Sequence, residues 1–327
     1  MNVFVAGGAG YIGSHTVRLL MEAGHDVTVY DNLSEGHAAA VPAEMLVRGD
    51  LADLGAVTAA MKAKRFDAAM HFAAHCYVGE SVTEPQKYYV NNVTNALNLL
   101  RAMREADVGK IVFSSTAATY GNPIETPITE THPQNPINPY GRTKLMFEQA
   151  LADYSRAYGM GYTALRYFNA AGAAPDGKLG EDHDPETHLI PLVLYAAMGK
   201  RKKVSIFGTD YETPDGTCVR DYIHIYDLAQ AHILALEAMK PGDGRKYNLG
   251  NGSGYSVREV IETAAKIVGK EIPHDEAPRR AGDPAVLVAS SEKIVRELGW
   301  KPQFPHLESI IETAWRWHRD HPDGYAD

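Results

Sequence analysis

The sequence predicts a doubly wound parallel α/β sheet joined to a smaller α/β lobe, and three observations lead there. Short apolar runs alternate with longer helical segments through the first half of the chain. A glycine run, AGGAGYIGSH, lies between the first such run and the first helical segment. Near Gly172 the alternation stops, and polar stretches rich in Gly and Pro take over. A βαβ alternation implies parallel strands, because each helix carries the chain back along the sheet before the next strand begins.

Residues 2–6, 27–30, 67–72 and 110–114 read as strands, with a further short one expected before Asp50. Apolar residues at helical spacing mark 11–23, 53–63 and 85–106, and 139–158 offers another amphipathic face. Ligands of such sheets gather at the carboxyl ends of the strands, so the residues just after each strand are the ones to search. Past Gly172, stretches such as AAPDGKLGEDHDPE and FGTDYETPDGT read as long loops of a second, substrate-capturing lobe. The expected division is therefore 1–175, a dinucleotide-binding domain to which later segments return, and 176–327, mainly the second lobe.

Composition narrows the function. A chain of 327 residues, 45% hydrophobic and 22% charged, can bury a full core and exceeds the usual single-domain size. Its net charge of −9 gives no basic footprint for nucleic acid, although a local cationic pocket could still hold a small anion. Two cysteines, Cys76 and Cys218, form neither a disulfide framework nor a CxxC metal pair and fit a reducing cytosol. The start, MNVFVAGG, lacks a basic segment, and no apolar run is long enough for a membrane span. A cytoplasmic enzyme is the expectation.

The glycine run follows a strand and opens a helix. Gly7 and Gly10 there allow a tight turn and close approach of a pyrophosphate to the helix amino terminus, and Gly13 lets the helix pack on the sheet. Asp31 ends the next strand, where its carboxylate suits a ribose diol and repels a 2′-phosphate, so NAD is expected over NADP. An ordinary glycine turn is the alternative; strand, helix and distal Asp31 together count against it. Asp50 and Leu51 after the third strand are expected to frame the adenine, and Phe72, Ala73 and Ala74 to end the fourth beside the cofactor. Turn and core roles would fit those five residues equally.

The run NPYGRTK places Tyr140 and Lys144 four apart on one helical face. An ammonium beside a phenol favours phenolate and draws its pKa down from about 10, which makes a general base. YxxxK alone describes many half-exposed helices. Ser114, Ser115 and Thr116 after the strand KIVF add a hydroxyl, at Thr116, that could hold or pass the proton of a reacting oxygen, or could merely cap the strand end.

With these motifs the chain resembles the extended short-chain dehydrogenase/reductase family, whose core is a Rossmann sheet, and the resemblance runs nearly end to end. It is carried by GGAGYIGSH, DNLSEGH, GDL, HFAA with VGES, NNV, FSSTAATYG, NPYGRTK, RYFNAAGA, HLIP, DYETPDGTCVRDYIH, YNLGNG and RRAGDP with LGW. The resemblance implies bound NAD, a UDP-hexose substrate, reversible inversion at C4 between UDP-glucose and UDP-galactose, and a homodimer. By position it makes Thr116, Tyr140 and Lys144 catalytic. It adds Tyr11, Ile12, Asn32, Asn91, Ser114 and Tyr167 to the cofactor residues, and puts Asn169, Leu189, Phe207, Arg220, Arg280, Asp283 and Leu287 at the nucleotide-sugar. Arginine forks suit a diphosphate. An ion pair of Arg220 with Asp221, and a solvated patch at Arg279 and Arg280, are the bland alternatives. Ala117 and Ala118 stand where dehydrating relatives carry Asp and Glu, which argues against dehydration. A uronate 4-epimerase or decarboxylase is the nearest alternative reaction; a net oxidoreductase would release NADH, and a nucleotide sensor would need no base.

Three departures from the family pattern bear on function. Cys76 replaces a Lys that some relatives hold near the nicotinamide, and His188 replaces an Asn near the uracil. Leu287 replaces the larger Tyr that shuts out N-acetyl groups in some relatives, so UDP-N-acetylhexoses are expected to be accepted too. No metal is expected: His71 and His75 lie at a strand end, where HxxxH cannot share a helical face, and EDHDPETH reads as a solvated polar loop. Trp315, Trp317 and His318 in IIETAWRWHRD read as the apolar cap of an amphipathic helix.

Overall fold

The computed structural model describes residues 1–280 and 283–326. Strand β1 (Asn2–Ala6) leads through helix α1 (Tyr11–Glu22) to β2 (Asp26–Asp31) and then β3 (Leu46–Arg48). Helix α2 (Leu54–Lys62) returns the chain to β4 (Ala68–His71); α3 (Val78–Thr83), α4 (Pro85–Tyr89) and α5 (Ala96–Glu105) carry it to β5 (Lys110–Ser114). Helix α6 (Pro139–Tyr158) then precedes β6 (Gly161–Tyr167).

The second half is more regular than the loops its composition suggests. It contains β7 (Asn169–Ala171), α7 (Leu189–Met198), β8 (Val204–Phe207), β9 (Val219–Arg220), β10 (Tyr222–His224), α8 (Ile225–Glu237), β11 (Gly244–Leu249), β12 (Tyr255–Ser256), α9 (Val257–Val268), β13 (His274–Ala277), β14 (Val286–Leu287), α10 (Glu292–Leu298) and α11 (Leu307–Asp320). Long loops persist where Gly, Pro and charge dominate, as between β7 and α7. Of its helices, only the amphipathic run within α11 was expected from the sequence.

The main sheet has seven strands in the order β11-β6-β5-β4-β1-β2-β3, all parallel. From β1 the chain winds outward one way, and from β4 the other, so the order reverses between these two neighbours. That reversal opens a crevice at their carboxyl ends, the place where open α/β sheets bind ligands. The sheet is filled on both faces by strict alternation. Val3 and Val5 of β1 enter one core with Val29, Val112, Leu165 and Leu228, while Phe4 and Ala6 enter the other with Tyr30, Ile111, Phe113 and Phe147. Each such fully buried Val or Phe contributes about 1.5–3 kcal/mol by leaving water. A third core joins α7, α9 and α11 through Leu194, Val260 and Ile310 in the second lobe.

The helix expected over 85–106 is interrupted by a π-helical stretch, Val90–Asn95, between α4 and α5. The wider turn rotates the following residues off the 3.6-residue stripe, and Asn92 is thereby buried. His71, at the end of β4, is buried with its ring stacked 5.6 Å from Phe113, and desolvation holds its pKa down to about 3. In α11, Trp317 is buried and stacks on His321 at 3.9 Å, as a core cap would. None of the helices is long and apolar enough to cross a membrane among the described residues.

Candidate active site

The glycine loop is built for close approach. Gly7 has φ +77° and sits so near β4 that a Cβ would lie 2.3 Å from the Ala73 nitrogen, which favours glycine twice over. At Gly13 a Cβ would meet the Gly7 carbonyl at 2.1 Å, so the contact it permits is helix to loop rather than the helix-to-sheet packing expected. At Gly10 the nearest atom would be 3.7 Å away. Nothing else among the described residues comes within 4 Å of such a Cβ at Gly10, at the amino terminus of α1, where free N–H groups could face an anion. Residues of this shape fit the pyrophosphate of a dinucleotide.

Asp31 is buried, and its carboxylate accepts from Ala9 N at 2.9 Å and Leu33 N at 2.8 Å. It therefore braces the glycine loop, with a second lone pair left on each oxygen for a diol. Desolvation raises its pKa and those two bonds oppose the rise. Asn32 donates to Asp50 at 2.9 Å, and Asp50 accepts from Ala52 N at 2.7 Å, so the two turn the chain together beside the loop. Leu51 is core, and its carbonyl accepts from Asn98 at 2.9 Å. Phe72 packs against the first core 4.9 Å from His232, Ala73 abuts Gly7, and Ala74 follows directly. Ile12 joins the same core, and Tyr11 donates to the Gly172 carbonyl at 2.7 Å, tying α1 to the loop after β7.

The three expected catalytic residues converge beside the end of β5. Asn138 caps α6 by accepting from Gly141 N at 2.8 Å, and Pro139 opens the helix, which sets the rotation that aims Tyr140, Lys144 and Glu148 inward at i, i+4 and i+8. The Thr116 hydroxyl is close enough to the Tyr140 phenol to pull its pKa down. Lys144 is buried, donates to the Ser114 carbonyl at 2.8 Å, and holds its Nζ 5.8 Å from the centre of the Tyr140 ring. Ser114 Oγ and the Tyr167 hydroxyl are hydrogen-bonded alongside.

The electrostatics differ from the expectation of a lowered phenol. Desolvation drives the Tyr140 pKa far up, reinforced by Cys76 and Tyr167, and the Thr116 bond only partly offsets it. Lys144 faces a carbonyl rather than the phenol oxygen, and desolvation lowers its own pKa to about 8, against opposing pulls from Cys76 and Glu148. Cys76, where some relatives carry Lys, thus acts on both groups.

Sequence reasoning missed the residues that position these side chains. Asn92 accepts from His75 N and donates to His75 O, each at 3.0 Å, and reaches Thr143 on α6 at 3.2 Å. It staples the loop after β4 to α6, while the expected Asn91 donates to Asn92 at 3.1 Å. The paired NN at a break in helical periodicity was the available signal. Glu148 accepts from Ser115 at 2.6 Å and from Arg166 Nε at 2.9 Å, all within the core.

On the second lobe, Arg220 pairs with Asp283 at 2.8 Å rather than with Asp221. Asp221 is instead buried among the backbone N–H groups of Asn251, Gly252 and Ala289, with its pKa raised by desolvation to about 6. Asn169 donates to the Asp221 carbonyl at 2.9 Å. Arg280 is exposed, with its guanidinium 4.0 Å over the Phe207 ring, and Arg279 covers Tyr211 at 4.2 Å, so each arginine is held on an aromatic face. Arg279, Arg280 and Asp283 line a cleft of about 740 Å³ with residues 122–126 and 284–286. Leu189 opens α7 behind His188, which occupies the cap position. Leu287 pairs in register with Arg220 and packs against the small cluster of Ala117, Tyr120 and Ile128, whose Ala117 follows Thr116 in the chain. EDHDPETH is not the solvated loop expected: the side chains of Glu181 and Glu186 are 4% and 3% exposed and contact both His183 and His188.

Residues 3–250 match the model of the NAD dependent epimerase/dehydratase family. The chain belongs to that family. It is similar to a UDP-glucose 4-epimerase of Halalkalibacterium halodurans, 54% identical over 100% of this chain and 98% of the relative. A crystal structure of UDP-glucose 4-epimerase matches with a TM-score of 0.96 at 50% identity, covering 100% of both chains. UDP-glucose 4-epimerase from Brucella ovis in complex with NAD matches with a TM-score of 0.93 at 51% identity, over 96% of this chain and 97% of the other. For a member of this NAD-dependent family, the Gly7–Gly13 turn and Asp31 are residues whose shape and charge would fit the dinucleotide.

Proposed function

We propose that this chain interconverts UDP-glucose and UDP-galactose by inverting C4. The observation that carries the reading is the convergence of Thr116, Tyr140 and Lys144 next to the β1/β4 crevice. Tyr140 takes the proton of the sugar 4-hydroxyl while Thr116 holds the reacting oxygen in line. NAD, when bound, supplies a positively charged ring that accepts hydride from C4 and returns it. Lys144 orients the nicotinamide ribose. Between the two transfers the sugar is a flat 4-ketone that turns over, and Tyr140 gives its proton back to O4 on the new face. Turnover requires UDP to be held firmly and the hexose loosely. Arg220, Arg280 and Asp283, with Asn169, Leu189 and Phe207, are assigned to UDP, and Leu287 to the hexose.

In this reading residues 1–175, with α8 and β11 returning to the sheet, form the NAD domain, and 176–327 mainly the UDP-sugar domain. Tyr11, Ile12, Asn32, Asp50, Leu51, Phe72, Ala73, Ala74, Asn91, Ser114 and Tyr167 complete the cofactor wall. The enzyme is placed in the cytoplasm, where its two free cysteines stay reduced. It is read as a homodimer, with the exposed Val82, Val90 and Met146 of neighbouring helices as the apolar contact. Light scattering is expected to give twice the 35.7 kDa chain mass.

The deciding experiment incubates purified chain with UDP-galactose and no added nicotinamide. UDP-glucose is expected, with no net NADH; a product mixture that stays pure UDP-galactose rejects the reading. Because Leu287 leaves room at the hexose, UDP-N-acetylgalactosamine is expected to react as well. Leu287→Tyr should cut that activity by about tenfold or more and spare UDP-galactose. Equal losses on both sugars would remove Leu287 from the gate.

Lys144 sets an alkaline limit. Its ammonium is present below its lowered pKa of about 8 and is lost as pH rises through it, so turnover should fall on that limb. Lys144→Arg keeps its charge at all working pH, and its limb should move up even if its rate is lower. A pH–rate profile whose limb is the same in both proteins assigns it elsewhere.

A further inference from the structure

Glu181, His183, Glu186 and His188 lie in the loop entering α7, with one ligating atom of each within 4.8 Å of all the others. His188 Nδ1 is 2.9 Å from Glu186 Oε1 and 3.0 Å from Glu181 Oε1. His183 Nδ1 is 3.3 Å from Glu186 Oε2 and 3.5 Å from the same Glu181 oxygen. Each imidazole nitrogen therefore faces two carboxylates of different residues. Glu186 Oε1 also accepts from the backbone N–H groups of Thr187 at 2.6 Å and His188 at 2.7 Å, which leaves Glu186 Oε2, 3.3 Å from His183 Nδ1, as the oxygen available to a cation.

The spacing has the size a cation requires. Tetrahedral zinc with bonds of about 2.0–2.1 Å separates its ligand atoms by about 3.3–3.4 Å. The N···O distances to Glu181 Oε1 and Glu186 Oε2, 3.0, 3.3 and 3.5 Å, lie near that edge, and the four ligating atoms as a set lie within 4.8 Å, so closing on an ion takes only a small inward shift of the side chains. Two imidazoles exclude a magnesium or calcium cage, which is built from oxygen, and suit zinc. A further buried imidazole, His318, stands within the field of Glu181 and Glu186, its Nε2 without a hydrogen-bond partner. We propose that Glu181, His183, Glu186 and His188 form a zinc site whose four protein ligands leave no open position, and whose role is structural.

The surroundings say what such a site would fasten. Trp317 of α11 donates to the Glu181 carbonyl at 3.2 Å, and Tyr325 N donates to Asp182 at 2.9 Å. The Tyr11 ring of α1 stands edge-on to His183 at 6.0 Å, and Tyr77 lies beside both histidine rings. Zinc there locks the loop between α1 and α11 and fixes His188 at the cap of α7, directly before Leu189. This inference does not depend on the reaction proposed above.

The test uses the full, untagged chain, loaded with zinc sulfate and dialysed against metal-free buffer. Elemental analysis is expected to give about one zinc per chain, and EDTA to lower the thermal midpoint reversibly. Less than about a tenth of a zinc per chain overturns the site. His183→Ala with His188→Ala should abolish retention, and full retention in that folded variant overturns the assignment. Should the variant fail to fold, X-ray absorption at the zinc edge of the wild-type chain decides. Two imidazoles in an all N/O shell support the site; a sulfur shell, or fewer than two imidazoles, rejects it. UDP-galactose turnover is read separately, so either idea can fail without the other.

Discussion

Tyr140→Phe is expected to fold, to retain NAD and UDP, and to turn UDP-galactose over about 10²–10⁴-fold more slowly, the range a positioned acid–base group contributes. The phenol lies beside Thr116, so its loss leaves that hydroxyl to face the reacting oxygen without a phenol. Thr116 cannot take over as base, because an aliphatic hydroxyl holds its proton far more tightly than a phenol. Burial makes the argument sharper. Desolvation favours the neutral phenol, so the protein alone stores the proton, and positive charge must draw it off. Lys144 is the buried cation the chain supplies nearby. The checks are initial rates with UDP-galactose and the dinucleotide released on denaturation. A variant with near-normal rates sinks the base assignment; one that has lost NAD would show a structural role instead.

Most of the sheet was legible because its strands and helices are locally consistent. Strands 2–6 and 110–114 stand where the pattern put them, and 27–30 and 67–72 differ from β2 and β4 by only one residue at each end. Tyr140, Lys144 and Thr116 were legible because helical spacing and a strand end place them without any tertiary information. What stayed hidden depends on distant partners. Asn92 faces inward only because of a π turn, and Asp221 binds three backbone groups from two separate segments rather than its neighbour Arg220. The Tyr140 pKa was misjudged for the same reason: a sequence shows that a lysine is four residues away, but not that it donates to a carbonyl or that the phenol is desolvated. EDHDPETH was misread because polarity predicts solvation unless the charges find each other, and here they do.

Arg166→Met is expected to cost about 3–5 kcal/mol, the penalty for stranding a buried charge. Glu148 and Arg166 are 0% and 1% exposed, joined by a bond from Nε at 2.9 Å and a second from the guanidinium tip. Arg166 also donates to Tyr120 at 2.7 Å, which donates on to Asn248 of β11 at 2.7 Å. Lys246, 3.7 Å from Glu148, is the one other cation in reach among the described residues and is too far to replace two hydrogen bonds. Burial alone would raise the Glu148 pKa, but the hydrogen bonds and charge of Arg166, with Ser115, bring it below the usual 4.5. Its stabilisation is therefore present above that unfolded value and is lost as pH falls through the lowered folded value. In the variant only Ser115 and Lys246 oppose burial, so Glu148 protonates at higher pH than in wild type, and the deficit against wild type should narrow from pH 7 toward pH 4. Adding Glu148→Gln removes the stranded charge and should recover part of the loss, though not all, because the Tyr120 oxygen loses the donor that Arg166 supplied while its proton still goes to Asn248. Urea midpoints at fixed NAD concentration measure all three proteins. A single variant as stable as wild type, or a double variant worse than the single, would mean that the pair does not carry this core. Because Ser115, bonded to Glu148 at 2.6 Å, directly precedes Thr116, the single variant should also lose turnover while the double regains some of it. Stability and catalysis are thus read from one buried network, which enters the site one residue before the hydroxyl proposed to hold the substrate oxygen.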